Sequence, residues 1–328
     1  MSGAIRVAVI GGGANGEHEV SLASAASATS ALDPRRFEVV SFRIGRDGCW
    51  HLAGAPVAFH DAVAVLSGCD VVLPLVHGAP GEDGTLAALC ELAGVPYVGS
   101  GVGAGALAMD KHATKLLAAS LGIRTAAATL ITAADRGDFA PDGPVVVKPV
   151  AAGSSRGVQL VRDPSGWAAA LDDAFGYDDR VLVEEVVIGR EIDVAVLGGV
   201  GGEEPMVSPT LEIHSAGFFD YDAKYGAAHE TDVRFEVPAP LDPLESRSLE
   251  ANALALYRAL GCRGVARFDF FLTESGWVFN EANTVPGMTA HSQVPQMFAA
   301  AGIRYPELLE RLIRDAMAGE VAERSVRA

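Results

Sequence analysis

The 328 residues predict an α/β protein, and three observations carry that prediction. Strand-like and helix-like patterns alternate through the first hundred residues, an order that implies a parallel sheet. The opening run IRVAVI (5–10) is apolar throughout, as expected of a strand covered on both faces. Near the other end, FDFFLTESGWVFNEANTVPGM (268–288) sets two apolar runs around a polar turn and predicts a hairpin.

The elements follow in order. HEVSLASAASATSAL (18–32) reads as a helix, FEVVSFRI (37–44) and DVVLPLV (70–76) as strands, and GTLAALCELAG (84–94) as a helix stopped by glycine. A second segment opens with the helix ALAMDKHATKLLAASLG (106–122). It continues through strand PVVVKPV (144–150), a glycine-serine loop, strand GVQLV (157–161), helix GWAAALDDAFG (166–176) and strand VLVEEVV (181–187). From Glu191 come strands EIDVAVLG (191–198) and MVSPTLEI (206–213), then a loop rich in Gly, Phe, Tyr and Asp (214–232). The next helix is marked by Asp242 as N-cap, Pro243 at its first position, Glu245 three residues after the cap and Gly261 at its close. The 268–288 hairpin and a terminal helix YPELLERLIRDAMAG (305–319) complete the chain.

Composition narrows the function. The chain is 49% hydrophobic and 20% charged, the balance of an ordinary folded protein. A net charge of −17 without a basic stripe argues against nucleic acid as a partner. Cys49, Cys69, Cys90 and Cys262 are scattered, with no C-x-x-C pair, and read as free thiols of a reducing cytosol. The N-terminal apolar run is too short for a signal segment, and no stretch approaches the roughly 20 apolar residues that span a bilayer. These features predict a soluble, cytoplasmic protein that does not bind membranes.

Five stretches carry candidate chemistry. In the hairpin, alternation places Glu281 and Asn283 on one face, and a turn centred near Ser275 sets Asp269 opposite Glu281. Cross-strand neighbours approach to about 5 Å, so two carboxylates there repel unless a cation lies between them. Mg²⁺ takes one or two carboxylates together with phosphate oxygens. Asp269, Glu281 and Asn283, with Arg267 beside them, therefore point to a metal site; taken singly, Asp269 or Glu281 also reads as the wet edge of a hairpin. VVVKPVAAGSSRGVQLV (145–161) is a strand, a small-residue loop and a strand, whose N–H groups can turn toward one anion with Lys148 at the base. Its alternative is a flexible hairpin loop. GGGANG (11–16) matches G-x-G-x-x-G, but the acid a dinucleotide site wants about 20 residues on is absent, Asp33 and Glu38 coming too early. The turn still offers a helix N-terminus to an anion, and Glu17, just inside that helix, suits an ammonium group. LVHGAPGEDGTL (75–86) is a loop of the kind that lines ligand crevices, with His77 either functional or structural. FFDYDAKYGAAHETD (218–232) reads as a lid or as a surface insertion.

Together these stretches resemble a D-alanine–D-alanine ligase of the ATP-grasp superfamily. GEHEVS (16–21), HGAPGEDGTL (77–86), GVPYVGSGVGAGALAMDK (94–111), VVKP (146–149), GSSRGV (153–158), DYDAKY (220–225), ARFDFFL (266–272) and NEANTVPGMTAHS (280–292) occur in order over nearly the whole chain. The resemblance implies an ATP-grasp fold, with an N-terminal parallel-sheet α/β domain (1–103) and two α+β domains sandwiching ATP. These are a central subdomain (104–190) and a C-terminal subdomain (191–328) that holds the metal site and the lid loop. It implies ligation of two D-alanines through an acyl phosphate, for peptidoglycan precursors; the alternative is a related ATP-grasp ligase with another amino acid or D-lactate as acceptor. Asp269, Glu281 and Asn283 would hold two Mg²⁺ ions, with Mn²⁺ able to substitute. Lys111 and Lys148 would contact the ATP phosphates, and Glu184, Val186, Val187 and Glu191 would line the adenine and ribose pocket. Ser154 and Ser155 belong to the loop over the phosphates, and Ser154, Lys224 and Tyr225 would link the two loops that close the site. Glu17 would bind the first D-alanine's amino group near His77, Ser292 the second one's carboxylate, and Arg267 with the Gly287 N–H the oxyanion. A tyrosine at 225 goes with an amine nucleophile, and the resemblance implies a homodimer. Asn15, Gly16 and Phe219 depart from the family's usual residues. A nicotinamide-dependent dehydrogenase and a nucleotide-binding regulator without turnover are the rivals from other classes, and the intact acid–acid–amide set argues against the regulator.

Overall fold

The computed structural model describes residues 3–136, 141–200, 203–214 and 233–327. Three sheets follow one another along the chain. The first contains β1 (Ile5–Gly12), β2 (Phe37–Ile44), β3 (Trp50–Leu52), β4 (Ala55–Val57) and β5 (Val71–Pro74), in the order β4-β3-β2-β1-β5. β1 runs parallel to β2 and β5, as the strand–helix alternation predicts. The helices α1 (His18–Ala31), α2 (Phe59–Leu66) and α3 (Thr85–Ala93) accompany this sheet. The antiparallel edge formed by β3 and β4 is an addition to the sequence reading. Three-residue strands are too short to show a period.

The predicted helix over 106–122 is two helices, α4 (Val102–Met109) and α5 (Lys111–Ser120). Asp110 breaks it. Its backbone is extended (φ −80°, ψ 95°), and its carboxylate accepts the Ala113 N–H at 2.8 Å as the N-cap of α5. An aspartate competes with the helix for backbone donors, which is why it caps rather than continues. The second sheet is antiparallel, with β6 (Ala128–Thr132), β7 (Val145–Pro149), β8 (Gln159–Val161) and β9 (Arg180–Glu185) in the order β6-β9-β7-β8 and α6 (Trp167–Phe175) on one face.

The third sheet holds β10 (Arg190–Leu197), β11 (Met206–Val207), β12 (Leu211–His214), β13 (Arg234–Glu236), β14 (Val265–Thr273) and β15 (Gly276–Asn283). Its order is β13-β12-β10-β14-β15, with β11 also on β10. The predicted strand 206–213 is thus two strands, because Ser208 and Pro209 interrupt it; proline cannot donate to a ladder. One face is covered by α7 (Pro243–Leu260), whose Leu249, Ala253 and Leu256 pack on Ile192, Phe268, Phe270 and Phe279. Ala108 and Ala118, from α4 and α5, join this core. The helices α8 (Gln293–Ala300) and α9 (Tyr305–Arg327) fuse the third sheet to the first: Phe298, Leu308 and Leu312 share a core with Val7, Leu73 and Val265.

The cap read from sequence on α7 is a complete capping box. Asp242 Oδ1 accepts the N–H groups of Leu244 (2.7 Å) and Glu245 (2.9 Å), and Glu245 Oε2 accepts the Asp242 N–H at 2.9 Å. Gly261 ends the helix in the left-handed region at φ 71°. Replacing Asp242 by alanine should cost about 1 kcal/mol of folding free energy, read as a lower urea midpoint.

Candidate active site

The face of the third sheet that α7 leaves open carries the polar residues. On β14, Phe268 and Phe270 turn toward α7, so Arg267 and Asp269 turn away from it. On β15 the alternation is reset. Phe270 pairs with Phe279, but Asp269 pairs with Glu281 and Arg267 with Asn283, so Asn280 is an extra residue in a bulge. β10 completes the row, since Asp193 pairs with Asp269 on its other side. Three carboxylates, from Asp193, Asp269 and Glu281, therefore stand side by side on adjacent strands.

Cations already neutralise this row. Arg267 grips Asp269 with both arms, Nε to Oδ1 and Nη2 to Oδ2, each at 2.7 Å. It also lies 3.5 Å from Asp193. Burial alone would depress the guanidinium's pKa, but Asp269 and Asp193 outweigh it and hold it well above its ordinary value. Asn283 Nδ2 donates to Asp269 Oδ2 at 3.0 Å, and Lys111 Nζ sits 3.5 Å from Glu281. Asp269, Glu281 and Asn283 thus share one face of neighbouring strands, and carboxylates so placed suit a divalent cation, although here Asn283 turns its amide nitrogen, not its oxygen, to Asp269. The structure brings the three residues expected as metal ligands onto adjacent strands, with Asp269 facing Glu281.

Two chambers meet at Glu281. The larger, about 410 Å³, lies between the second and third sheets and is lined by Lys111, Lys148, Ser155, Glu184, Val186, Val187 and Glu191, all expected for a nucleotide site. Glu184 is buried between two lysines, Lys148 at 2.8 Å and Lys115 at 2.9 Å. Burial raises the Glu184 pKa, yet the lysines together bring it below the ordinary value. Lys148 also donates to Asn280 Oδ1 at 3.3 Å. Lys115 was absent from the sequence reading; it stands one helical turn after Lys111 in MDKHATK, and that spacing was the available signal.

The smaller chamber, about 230 Å³, is lined by Glu17, His77, Ser154, Arg267, Asp269, Gly287 and Ser292. Glu17 stands at the N-cap of α1 rather than inside it. Its carboxylate accepts from Ser154 Oγ. Two glycines let it lie there, since a Cβ at Gly153 would fall 2.2 Å from Glu17 Oε2 and one at Gly78 2.6 Å. Ser154 and Ser155 both adopt left-handed backbone, with φ of 52° and 54°, uncommon for residues with a side chain. Asn15 ties the neighbouring loops together, donating to the carbonyls of His77 (2.8 Å) and Ala79 (2.5 Å) and accepting the Glu17 N–H at 2.8 Å. Ser292 stands at the N-cap position of α8, but its Oγ accepts the Thr289 N–H at 3.0 Å and not an N–H of the helix.

His77 is buried, and burial is the main cause of its lowered pKa. It therefore stays neutral near pH 7. Its Nδ1–H donates to the Val285 carbonyl (2.7 Å), and its Nε2 accepts from Ser24 Oγ (2.9 Å), which itself accepts the Met288 N–H (3.3 Å). The ring pins the 285–288 loop, and with it Gly287, to α1. Glu82, also unremarked in the sequence reading, lines the chamber, and burial followed by the nearby Glu17 pushes its pKa well up. The signal lay in GEDG of the His77 loop.

The glycine turn at 11–16 is not a diphosphate cradle. Gly12 N–H donates to Ser21 Oγ (2.8 Å) and Gly13 N–H to the Ile44 carbonyl (2.9 Å), so the amides that would hold an anion are used within the fold. Lys224 and Tyr225, and the lid candidate apart from residue 214, lie outside the described residues. Among the described residues no helix is long and apolar enough to cross a membrane.

The chain is similar to known proteins over nearly its whole length. A family model described as the D-ala D-ala ligase C-terminus matches residues 140–314, and one for the D-ala D-ala ligase N-terminus matches residues 6–65 and 56–100. The D-alanine--D-alanine ligase of Corynebacterium aurimucosum is 38% identical, covering 96% of this chain and 98% of that protein. That of Rhodococcus jostii is 39% identical, covering 95% and 97%. Among solved structures, the VanG D-Ala:D-Ser ligase from Enterococcus faecalis superposes with a TM-score of 0.81 at 34% identity over 94% of this chain and 98% of its own. The D-alanine--D-alanine ligase from Bacillus anthracis complexed with ATP superposes at 0.80 and 28% identity over 98% and 100%.

Lys115 offers a pH test of the larger chamber. Burial, with Lys148 adding repulsion, lowers its pKa to about 8 despite the neighbouring Glu184. A bound polyphosphate favours the charged lysine. Affinity for ATP should therefore be level below this pKa and weaken as pH rises through it, by at most about tenfold per pH unit for one proton. Lys115→Arg should flatten the profile, measured by titration with a fluorescent nucleotide. Equal affinity from about pH 7 to 9 in the parent protein would remove Lys115 from the nucleotide's surroundings.

Proposed function

The chain belongs to the D-alanine–D-alanine ligase family, and we propose on that footing that it joins two D-alanines into D-alanyl-D-alanine for peptidoglycan precursors, converting ATP to ADP and phosphate. The observation that carries this reading is the Asp269–Glu281–Asn283 set at the junction of a lysine-lined chamber with a chamber built around Glu17 and Arg267. A transferring phosphoryl group belongs at such a junction.

A carboxylate is a poor electrophile, so the reaction first converts one D-alanine to its acyl phosphate, releasing ADP. The amine of the second D-alanine then attacks the acyl carbon, and phosphate leaves from the tetrahedral oxyanion. The larger chamber takes ATP between the central and C-terminal sheets, with Glu184, Val186, Val187 and Glu191 along the base and sugar. Lys111 and Lys148 face the phosphates, and Ser154 and Ser155 cover them. A divalent cation, Mg²⁺ with Mn²⁺ able to substitute, supplies charge neutralisation on the phosphate oxygens when bound to Asp269, Glu281 and Asn283, two ions in the family's arrangement.

In the smaller chamber Glu17 takes the first D-alanine's ammonium group. Arg267 and the Gly287 N–H stabilise the oxyanion, where fixed donors contribute most. Ser292 holds the second D-alanine's carboxylate, and His77 keeps Gly287 in place. Lys224 and Tyr225 are assigned by motif to the loop that closes the site. Closure matters because water would hydrolyse the acyl phosphate. The reading extends to a cytoplasmic homodimer, which rests on the family alone.

The test is ADP release coupled to NADH oxidation, with ATP, Mg²⁺ and a panel of D- and L-amino acids. D-Alanine should stimulate it and L-alanine should not; no stimulation by D-alanine sinks the reading. Glu281→Gln should lower turnover by about 100-fold or more, because it removes a carboxylate from the metal's reach. Near-parental turnover at saturating Mg²⁺ would refute the role of Glu281.

A further inference from the structure

The proposed function uses Asp269 for the cation and Arg267 for the oxyanion, yet here the two are locked to each other by a bidentate fork with both contacts at 2.7 Å. A divalent ion that takes a carboxylate oxygen competes with that fork for the oxygen's lone pairs and draws its charge away from the guanidinium. The guanidinium left behind is buried, and a buried charge without a partner is costly. Loading the metal therefore requires somewhere for Arg267 to remain.

The structure supplies that place. Asp193 stands directly opposite Asp269 on the neighbouring strand β10, with no exposed surface, and its Oδ2 lies 3.5 Å from Arg267 Nε. Gln293, the first residue of α8, bridges the two with the two ends of one amide. Its Nε2 donates to Asp193 Oδ2 at 2.8 Å, and its Oε1 accepts from Arg267 Nη1. The amide is polarised the right way round, oxygen to the cation and nitrogen to the anion. Neither contact uses an oxygen of Asp269, so both survive when Asp269 turns to a metal. We propose that Asp193 and Gln293 are positioning residues that hold Arg267 at its station while Asp269 is handed to the cation, and so set the metal affinity of the site.

This inference rests on the metal role assigned above to Asp269. Its consequence is that residues which touch no metal control metal binding through Arg267. A residue that only supported the fold would not act in that way.

The experiment is Mn²⁺ binding to the full-length protein with ADP present, followed by the electron paramagnetic resonance signal of free Mn²⁺. Gln293→Leu leaves the charge of the site unchanged. It should raise the Mn²⁺ dissociation constant about fivefold, a coupling of about 1 kcal/mol, while ADP affinity without metal stays the same. Asp193→Asn should weaken Mn²⁺ binding further. Gln293→Asn, too short to bridge, should match Gln293→Leu and serves if the leucine variant does not fold. In an Arg267→Met background Gln293→Leu should have no effect, because there is no guanidinium left to hold. Unchanged Mn²⁺ affinity in both Gln293 variants overturns the inference, as does an equal loss with and without Arg267. A parent protein that binds no Mn²⁺ with ADP overturns the functional reading itself, and this inference with it.

Discussion

The pairing of β14 with β15, and the one extra residue inside it, is the constraint on which the site depends. Up to Phe270 and Phe279 the ladder is regular, and both rings face α7. A regular continuation would keep odd-numbered residues of β15 on that buried face, carrying the Glu281 carboxylate in among leucines. The bulge at Asn280 prevents this by turning Glu281 and Asn283 to the cleft and Ala282 to the core. It also leaves Asn280 and Glu281 both toward the cleft, where Lys148 reaches one and Lys111 the other. A single irregularity thus aligns the acids with the lysines that accompany them.

The charges of the site follow the same logic. A chain of net charge −17 sets buried cations against the acids that line its two chambers: Arg267 between Asp193 and Asp269, Lys111 beside Glu281, and Lys115 with Lys148 around Glu184. Buried ion pairs are weak contributors to stability, because desolvation consumes most of the attraction. Their value here is preorganisation. The lysines that line the larger chamber are already dehydrated, and on the proposed function this leaves little reorganisation for the reaction itself.

Loops complete what the sheet begins, and each is held by contacts remote in sequence. His77 reaches the Val285 carbonyl across 208 residues of chain and Ser24 across 53. Ser154 reaches Glu17 across 137 residues, and Asn15 fastens two carbonyls of the His77 loop. His77 is thereby a neutral strut in the wall of the smaller chamber.

Local order was legible in the residues themselves. Period-two alternation and the TESG turn announced the hairpin, the Asp-Pro-x-Glu pattern announced the box on α7, and apolar runs announced the parallel strands; each depends on neighbours only a few residues apart. The expected facing of Asp269 and Glu281 holds, but from the Thr273–Gly276 turn it is reached only through the extra residue at Asn280. The break at Asp110, the extra residue at Asn280, and the meeting of Asp193, Gln293, Lys115 and Glu82 with the predicted set were decided only by tertiary structure. A lone acid in EIDVAVLG or a glutamine after Ser292 has no partner within its own stretch of chain. Asp193 and Gln293 meet across 100 residues, and periodicity carries no information about contacts at that separation.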